Sequence, residues 1–164
     1  MSLFLLLSSH HSLTTHPPSV RYQIITEIAR RLELISMPSG YNTNAGALVF
    51  FGETPTLGPS DPEQALALVV RGDLVGYQGA NVVTTLPIEV QALAKIDTGP
   101  TVIVEQIIDD IKRAIESDHS LGGLLLPRGL IRGITVPLER EPGSQFVGAS
   151  VGYNMMFAEK WGGG

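Results

Sequence analysis

Residues 145–157, QFVGASVGYNMMF, carry the sharpest structural pattern in the chain. Apolar side chains recur at every second position, with glycine, serine and asparagine between them. A period of two is typical of a strand with one covered face. The inward set is Val147, Ala149, Val151, Tyr153, Met155 and Phe157.

Working outward from this strand, residues 82–95 show the same alternation, and three further apolar runs predict strands at 41–51, 65–71 and 130–139. Apolar positions at helical spacing predict one helix from Val20 after a Ser19 cap and a second opened by Gly99-Pro100. Met37–Gly40 and Gly122-Gly123 are expected to end these helices. Gly72–Asn81 reads as an exposed hairpin loop. The order α-β-β-β-α-β-β predicts an α+β fold: a mostly antiparallel sheet with two helices packed on one face.

The chain has 164 residues, which fits a single α+β domain over residues 19–160. Residues 1–18 contain no charged side chain and are expected to form a flexible arm, or to pack on a neighbouring subunit. Residues 161–164 are expected to be a disordered tail. Leu3–Leu7 is too short a run for a membrane span or a secretory signal, so no membrane partner and a cytoplasmic origin are expected.

Composition excludes several classes of function. The chain has no cysteine, which removes disulfides, thiolate metal sites and cysteine nucleophiles. Its net charge of −5 gives no basic footprint for nucleic acid. Charged residues make up only 16%, against about 25% in an average soluble domain, so we expect partners to cover part of the surface.

Short motifs that match catalytic or metal-binding patterns have structural interpretations in this chain. Gly148-Ala-Ser150-Val-Gly152 matches a nucleophile elbow, but it lies inside an alternating strand and no histidine follows it. Close packing of this small-residue face against a helix or another subunit is the expectation. Asp109 with Asp110, or with Glu105 and Glu116, is either a Mg²⁺ site or a solvated helix face, and the solvated face is favoured. No cofactor or metal is expected.

From Gly99 onward the chain resembles a known family. An amphipathic helix leads into Asp118-His-Ser-Leu121-Gly122-Gly123-Leu124, followed by a polar hairpin and a closing strand with Val151-Gly-Tyr153. This arrangement, together with the first helix and three strands, resembles the tail terminator (tail completion) proteins of long-tailed bacteriophages. The similarity covers residues 20–157.

The resemblance implies a structural virion protein and no enzyme. It implies a homohexameric ring that caps the tail tube protein, ends polymerisation and joins the tail to the head connector or stopper. DNA crosses the channel without specific binding, and assembly takes place in the host cytoplasm. Candidate subunit or partner contacts are Arg71, Asp73, Leu74, Val75, Tyr77, Glu105, Asp109, Arg128 and Arg132. The alternatives are another head–tail neck protein, or a small oligomeric enzyme or ligand-binding domain with its site between subunits.

Overall fold

The computed structural model describes residues 17–52, 57–79, 81–96, 99–140 and 142–160. The predicted arm and tail lie outside these ranges, apart from residues 17 and 18. The helices and strands follow the order α1 (Val20–Glu33), β1 (Val49–Phe51), β2 (Gln64–Val70), β3 (Leu74–Gln78), β4 (Asn81–Lys95), α2 (Pro100–Glu116), β5 (Leu130–Pro137) and β6 (Phe146–Lys160).

The strands form one sheet in the order β1-β2-β4-β6-β5, with β3 paired to β4 beside β2. Among the described strands, only the β1–β2 pair is parallel. β4 and β6 pair along their whole length, from Asn81 opposite Lys160 to Lys95 opposite Phe146. Both helices lie on one side of the sheet. The predicted α+β class, with a mostly antiparallel sheet and helices on one face, is therefore confirmed.

The core lies between the two helices and the facing side of β4 and β6. Tyr153 and Phe157 of β6 are fully buried there, together with Ile28 of α1 and Ile111 of α2. Burying a side chain of this size contributes roughly 1.5–3 kcal/mol. The period of two in β6 and the helical stripes therefore place the covered faces as predicted.

The ends of both helices differ from the prediction. The Ser19 hydroxyl caps α1 by accepting a hydrogen bond from the Tyr22 amide at 3.2 Å, as expected. However, α1 ends at Glu33, before the Met37–Gly40 stop, and α2 ends at Glu116, before Gly122-Gly123. In both places the chain continues in tight turns, where glycine supplies left-handed backbone after the helix has already ended.

The predicted strand over residues 41–51 is wrong except at its end. Only Val49–Phe51 is a strand, and Ala45–Ala47 forms a 3₁₀ turn. A Cβ atom on Gly46 would lie 2.4 Å from the carbonyl oxygen of Leu32, so the backbone packs directly on the end of α1. This close contact bends the apolar run away from the sheet.

The predicted loop over residues 72–81 contains an additional strand. β3 pairs antiparallel with the first part of β4, and Gly79 forms the turn with a φ of 63°. The strand escapes sequence recognition because all five of its residues are exposed, so no covered face marks its period. The observed order is therefore α-β-β-β-β-α-β-β.

The small-residue face of β6 does not pack against a helix, since both helices lie on the other side. A Cβ atom on Gly148 would lie 2.8 Å from Leu138 Cδ1 and 2.5 Å from the Ala92 carbonyl oxygen. Ser150 is buried within the uninterrupted strand. Glycine is required at position 148 because the β4 backbone and the Leu138 side chain, which follows β5, approach β6 closely there.

Candidate assembly surfaces

The motif that carries the family resemblance builds a compact turn after α2. The Asp118 carboxylate accepts hydrogen bonds from the Ser120 amide at 2.9 Å, the Ser120 hydroxyl at 2.7 Å and the Gly122 amide at 2.7 Å. Leu121, Gly122 and Gly123 all have positive φ, between 49° and 85°, and Leu121 is fully buried. The hydrogen bonds from Ser120 and Gly122 hold the pKa of Asp118 well below its usual range.

Arg31 joins this turn to the first helix. Its buried guanidinium donates hydrogen bonds to the Ile115 carbonyl at 3.2 Å and to the Asp118 carboxylate at 3.3 Å. It also donates to Glu27 at 2.8 Å. A cation at this position donates hydrogen bonds to carbonyls that have no helical partner at the end of α2. Its charge is also stabilised by the negative end of the helix dipole. We call Glu27, Arg31, Ile115 and Asp118 the helix junction.

Arg132, one of the predicted contact residues, is held against α2. Its guanidinium donates to the Glu116 carboxylate at 3.1 Å, and the Tyr153 hydroxyl donates to the same carboxylate at 3.0 Å. Burial and the neighbouring Glu116 charge raise the pKa of Tyr153 far above its ordinary value. Arg132 therefore fastens β5 to the helix layer, while about half of its side chain stays exposed.

Five predicted contact residues meet at β3. Leu74, Val75 and Tyr77 are 66%, 60% and 72% exposed. The two charged residues before the strand are already paired within the chain. Arg71 Nη2 lies 2.7 Å from Glu89, and Asp73 lies 3.0 Å from Arg21 Nε. The hairpin thus presents apolar side chains along β3, while ion pairs anchor its base.

Glu89 also accepts a hydrogen bond from Gln91 at 2.9 Å, on the face of the sheet without helices. Burial alone would raise the pKa of Glu89. Hydrogen bonds from Arg71 and Gln91 outweigh burial, so the pKa of this carboxyl lies below its usual value. The charge on Glu89 is therefore retained to hold Arg71 at the base of the hairpin.

The opposite edge of the sheet carries a second apolar group that the sequence analysis missed. Ile131, Ile134 and Val136 of β5 are 48%, 78% and 40% exposed. The pairing of β5 with β6 shifts register between Arg132 and Thr135, so a bulge at Gly133 interrupts the alternation of side chains. Because of this interruption, the exposed aliphatic residues cannot be recognised from an alternating pattern in the sequence. β1, which pairs with β2 alone among the described strands, is a further edge of the same sheet. We use the name two edge strands for β3 and β5 only.

The acidic side of α2 divides in two. Glu105 and Asp109 are exposed, and Asp109 lies 3.9 Å from Lys112, an arrangement typical of a solvated helix face. Asp110, which the sequence places on the same face, is fully buried.

The buried Asp110 carboxylate accepts hydrogen bonds from the Asn42 amide at 3.0 Å, and from the Thr43 amide at 2.9 Å and hydroxyl at 2.8 Å. Its role is to hold the 42–43 segment on α2. This use of both carboxylate oxygens argues against the Mg²⁺ interpretation of the Asp109–Asp110 pair.

The nine predicted contact residues do not form one surface. Five lie at β3, Arg132 lies on β5 across the sheet, and Glu105 and Asp109 lie on α2. Arg128 is exposed in the turn before β5, with a left-handed φ of 59°. Among the described residues no group of three or more His, Asp or Glu side chains is placed to hold a metal ion. None of the described helices has the length and apolar character needed to cross a membrane.

An open cavity of about 510 Å³ lies on the helix-free face beside the β5–β6 turn. Leu57, Leu93, Leu138 and Phe146 form its apolar wall. The Arg140 guanidinium on its rim donates to the Ser144 carbonyl at 2.8 Å and so stabilises the turn itself.

No protein-family model matches the chain, and no curated protein sequence matches it.

Proposed function

We propose that this chain is a tail terminator of a long-tailed bacteriophage. In this function it is a structural virion protein whose ring caps the tail tube, ends tube polymerisation and joins the tail to the head connector. The proposal takes its identity from the resemblance over residues 20–157. Its physical support is that two strands at the edges of the sheet expose apolar side chains.

The observation that carries the proposal is the pair of edge strands. Within the described chain, β3 pairs with β4 alone and β5 pairs with β6 alone, and each exposes aliphatic side chains beside an open strand edge. Open, apolar edges are sites where another chain adds on, and monomeric proteins usually blunt them. Two different edges on opposite sides of one sheet allow head-to-tail contacts, which close into a ring when the rotation between subunits permits.

The turn built by Asp118 also supports the proposal. Each named residue in Asp-x-x-Leu-Gly-Gly has a structural role. The Asp118 carboxylate accepts a hydrogen bond from the Gly122 amide, and the Leu121 side chain is buried in the core. Gly122 and Gly123 adopt the left-handed conformation. The net charge of −5 suits a channel through which DNA passes without being gripped.

The decisive experiment combines mass measurement in solution, negative-stain microscopy and capping of purified tail tubes. The wild-type chain is expected to form six-membered rings that halt tube growth. Ile134→Lys on β5 should abolish both the ring and capping, because a charge would enter the apolar edge contact. Val102→Lys is the matched control, since Val102 is also apolar and 66% exposed but lies on α2 and not on an edge strand. A wild-type chain that stays monomeric at all concentrations and leaves tube ends growing would overturn the proposal.

The open cavity favours one further candidate function, a small-ligand-binding domain. Its volume lies within the range of about 300–1,000 Å³ that is usual for ligand sites. Thermal stabilisation by a member of a metabolite panel, lost in a Leu138→Arg variant, would support this candidate. The terminator proposal expects no such stabilisation.

A further inference from the structure

The helix-side face of β3 continues a surface that α1 covers only in part. Val75 pairs with Thr84, which in turn pairs with Phe157, so these three side chains share the face that carries the helices. Phe157 and Thr84 are buried, whereas Val75 is 60% exposed. The row therefore passes from a covered core position to an uncovered edge position.

The chain enters α1 at this same place. Arg21, in the first turn of α1, binds Asp73, which directly precedes β3. Val75 lies two residues beyond Asp73, about 7 Å farther along the strand. Residues that precede Ser19 consequently join the described fold next to the uncovered face of β3.

The chain that precedes this point has a composition suited to an apolar surface. Residues 1–16 contain no Asp, Glu, Lys or Arg, and residues 3–7 read LFLLL. An extended chain spans about 3.3 Å per residue, so the residues between 5 and 17 can reach about 40 Å. The five residues of β3 span only about 17 Å. Length and starting point thus allow residues 3–7 to reach any part of β3.

We infer that residues 3–7 of the chain dock on the helix-side face of its own β3, across Val75 and beside the first turn of α1. The occupant is the chain's own segment because α1 begins beside this face, which gives the tethered segment a high effective concentration there. The outer backbone edge of β3 stays available to a neighbouring subunit. The inference goes beyond the proposed function and applies to a single chain as well as to a ring.

Cysteine cross-linking tests this docking directly, because the wild-type chain has no cysteine to interfere. The pair Leu5→Cys with Val75→Cys is treated with a short bismaleimide in the full-length protein at low concentration. The matched control is Leu5→Cys with Leu74→Cys. Leu74 is 66% exposed and directly precedes Val75 in β3, but it lies on the opposite face of the strand, paired with Thr85.

The expected result is an intramolecular product that forms at least tenfold faster with Val75→Cys than with Leu74→Cys. Rates within twofold of each other would overturn the docking. A product that is mainly a covalent dimer would also overturn it, because the segment would then belong to a neighbouring subunit. Since the readout is a bond within one chain, it is independent of tube capping, and either result is compatible with success or failure of the terminator proposal.

Discussion

The helix junction and the two edge strands differ in how their side chains are partnered within the chain. At the junction, the buried Arg31 has protein partners for its charge and also satisfies carbonyls at the end of α2. At the edge strands, aliphatic side chains such as Ile134 and Leu74 face outward beside open strand edges. The polar groups of the helix junction therefore have partners within the chain, whereas the edge strands leave apolar surface that a partner could cover.

This difference separates stability from assembly within the molecule. Polar groups buried with all partners satisfied hold the helices and the intervening turns in one arrangement. Exposed edge residues contribute little to that arrangement, because they are already in water in the folded chain. Substitutions in the first region should therefore change the free energy of unfolding, and substitutions in the second should change only association.

The largest stability effect is expected for Asp110→Ala. Removal of the carboxylate leaves the buried Thr43 amide and hydroxyl without their partner, and each unsatisfied group costs about 1–3 kcal/mol. We expect a loss of about 3–4 kcal/mol in urea unfolding. Asp109→Ala, one residue away but exposed, should change stability by less than about 0.5 kcal/mol. Equal losses in the two variants would contradict the assignment of Asp110 as the residue that binds the 42–43 segment.

A smaller loss is expected when the helix junction is opened. Arg31→Ala removes the donor for the Ile115 carbonyl and for Asp118, and should cost about 2 kcal/mol. Arg30→Ala provides the control, because Arg30 also binds Glu27 but its side chain is 58% exposed, and surface ion pairs contribute only about 0–1 kcal/mol. Thermal unfolding of both variants beside the wild type makes the comparison. If Arg30→Ala were the more damaging change, the junction would not be what fastens α1 to α2.

The pH dependence of the junction should be smaller still. Hydrogen bonds from Arg30, opposed by burial and aided by Arg31, lower the pKa of Glu27 from 4.5 to about 2. Because this folded pKa lies below the unfolded one, the stabilisation is complete above pH 4.5 and is lost as pH falls toward 2. Glu27→Gln should therefore be less stable than wild type by under about 1 kcal/mol at neutral pH. The gap should narrow as the pH falls from 4.5 toward 2. Parallel stability profiles of the two proteins over this range would exclude this role for the Glu27 charge.

Much of the layered fold could be predicted from the sequence because a strand or helix with one covered face has apolar residues at regular spacing. The alternation in β6 and the apolar stripe of α2 each result from one face meeting the core, and both were assigned correctly. Asp110 could not be assigned in the same way. It lies at the border of the α2 stripe, and its partner Thr43 lies 67 residues away in the chain. A carboxylate that binds backbone amides so distant in sequence leaves no local pattern.

The exposed apolar residues of the two edge strands could be predicted only in part for a related reason. Leu74, Val75 and Tyr77 stand out as apolar residues in a glycine-rich stretch, and they are indeed exposed. The matching group on β5 is concealed because the bulge at Gly133 breaks its alternation. All residues of β3 and all but the first residue of β5 are exposed, so neither strand has the covered face that would produce a period of two in the sequence.

The smallest change in stability is expected at the edge strands themselves. Ile134 is 78% exposed, so Ile134→Lys removes almost no buried surface and should alter the free energy of unfolding by less than about 0.5 kcal/mol. Denaturant unfolding at concentrations below ring formation measures this value without the contribution of subunit contacts. The same variant is expected to lose the ring, so stability and assembly would separate in a single substitution. A loss above about 1 kcal/mol in the dilute chain would instead mean that the bulge needs this isoleucine to fold, and that the missing ring reflects damage to β5.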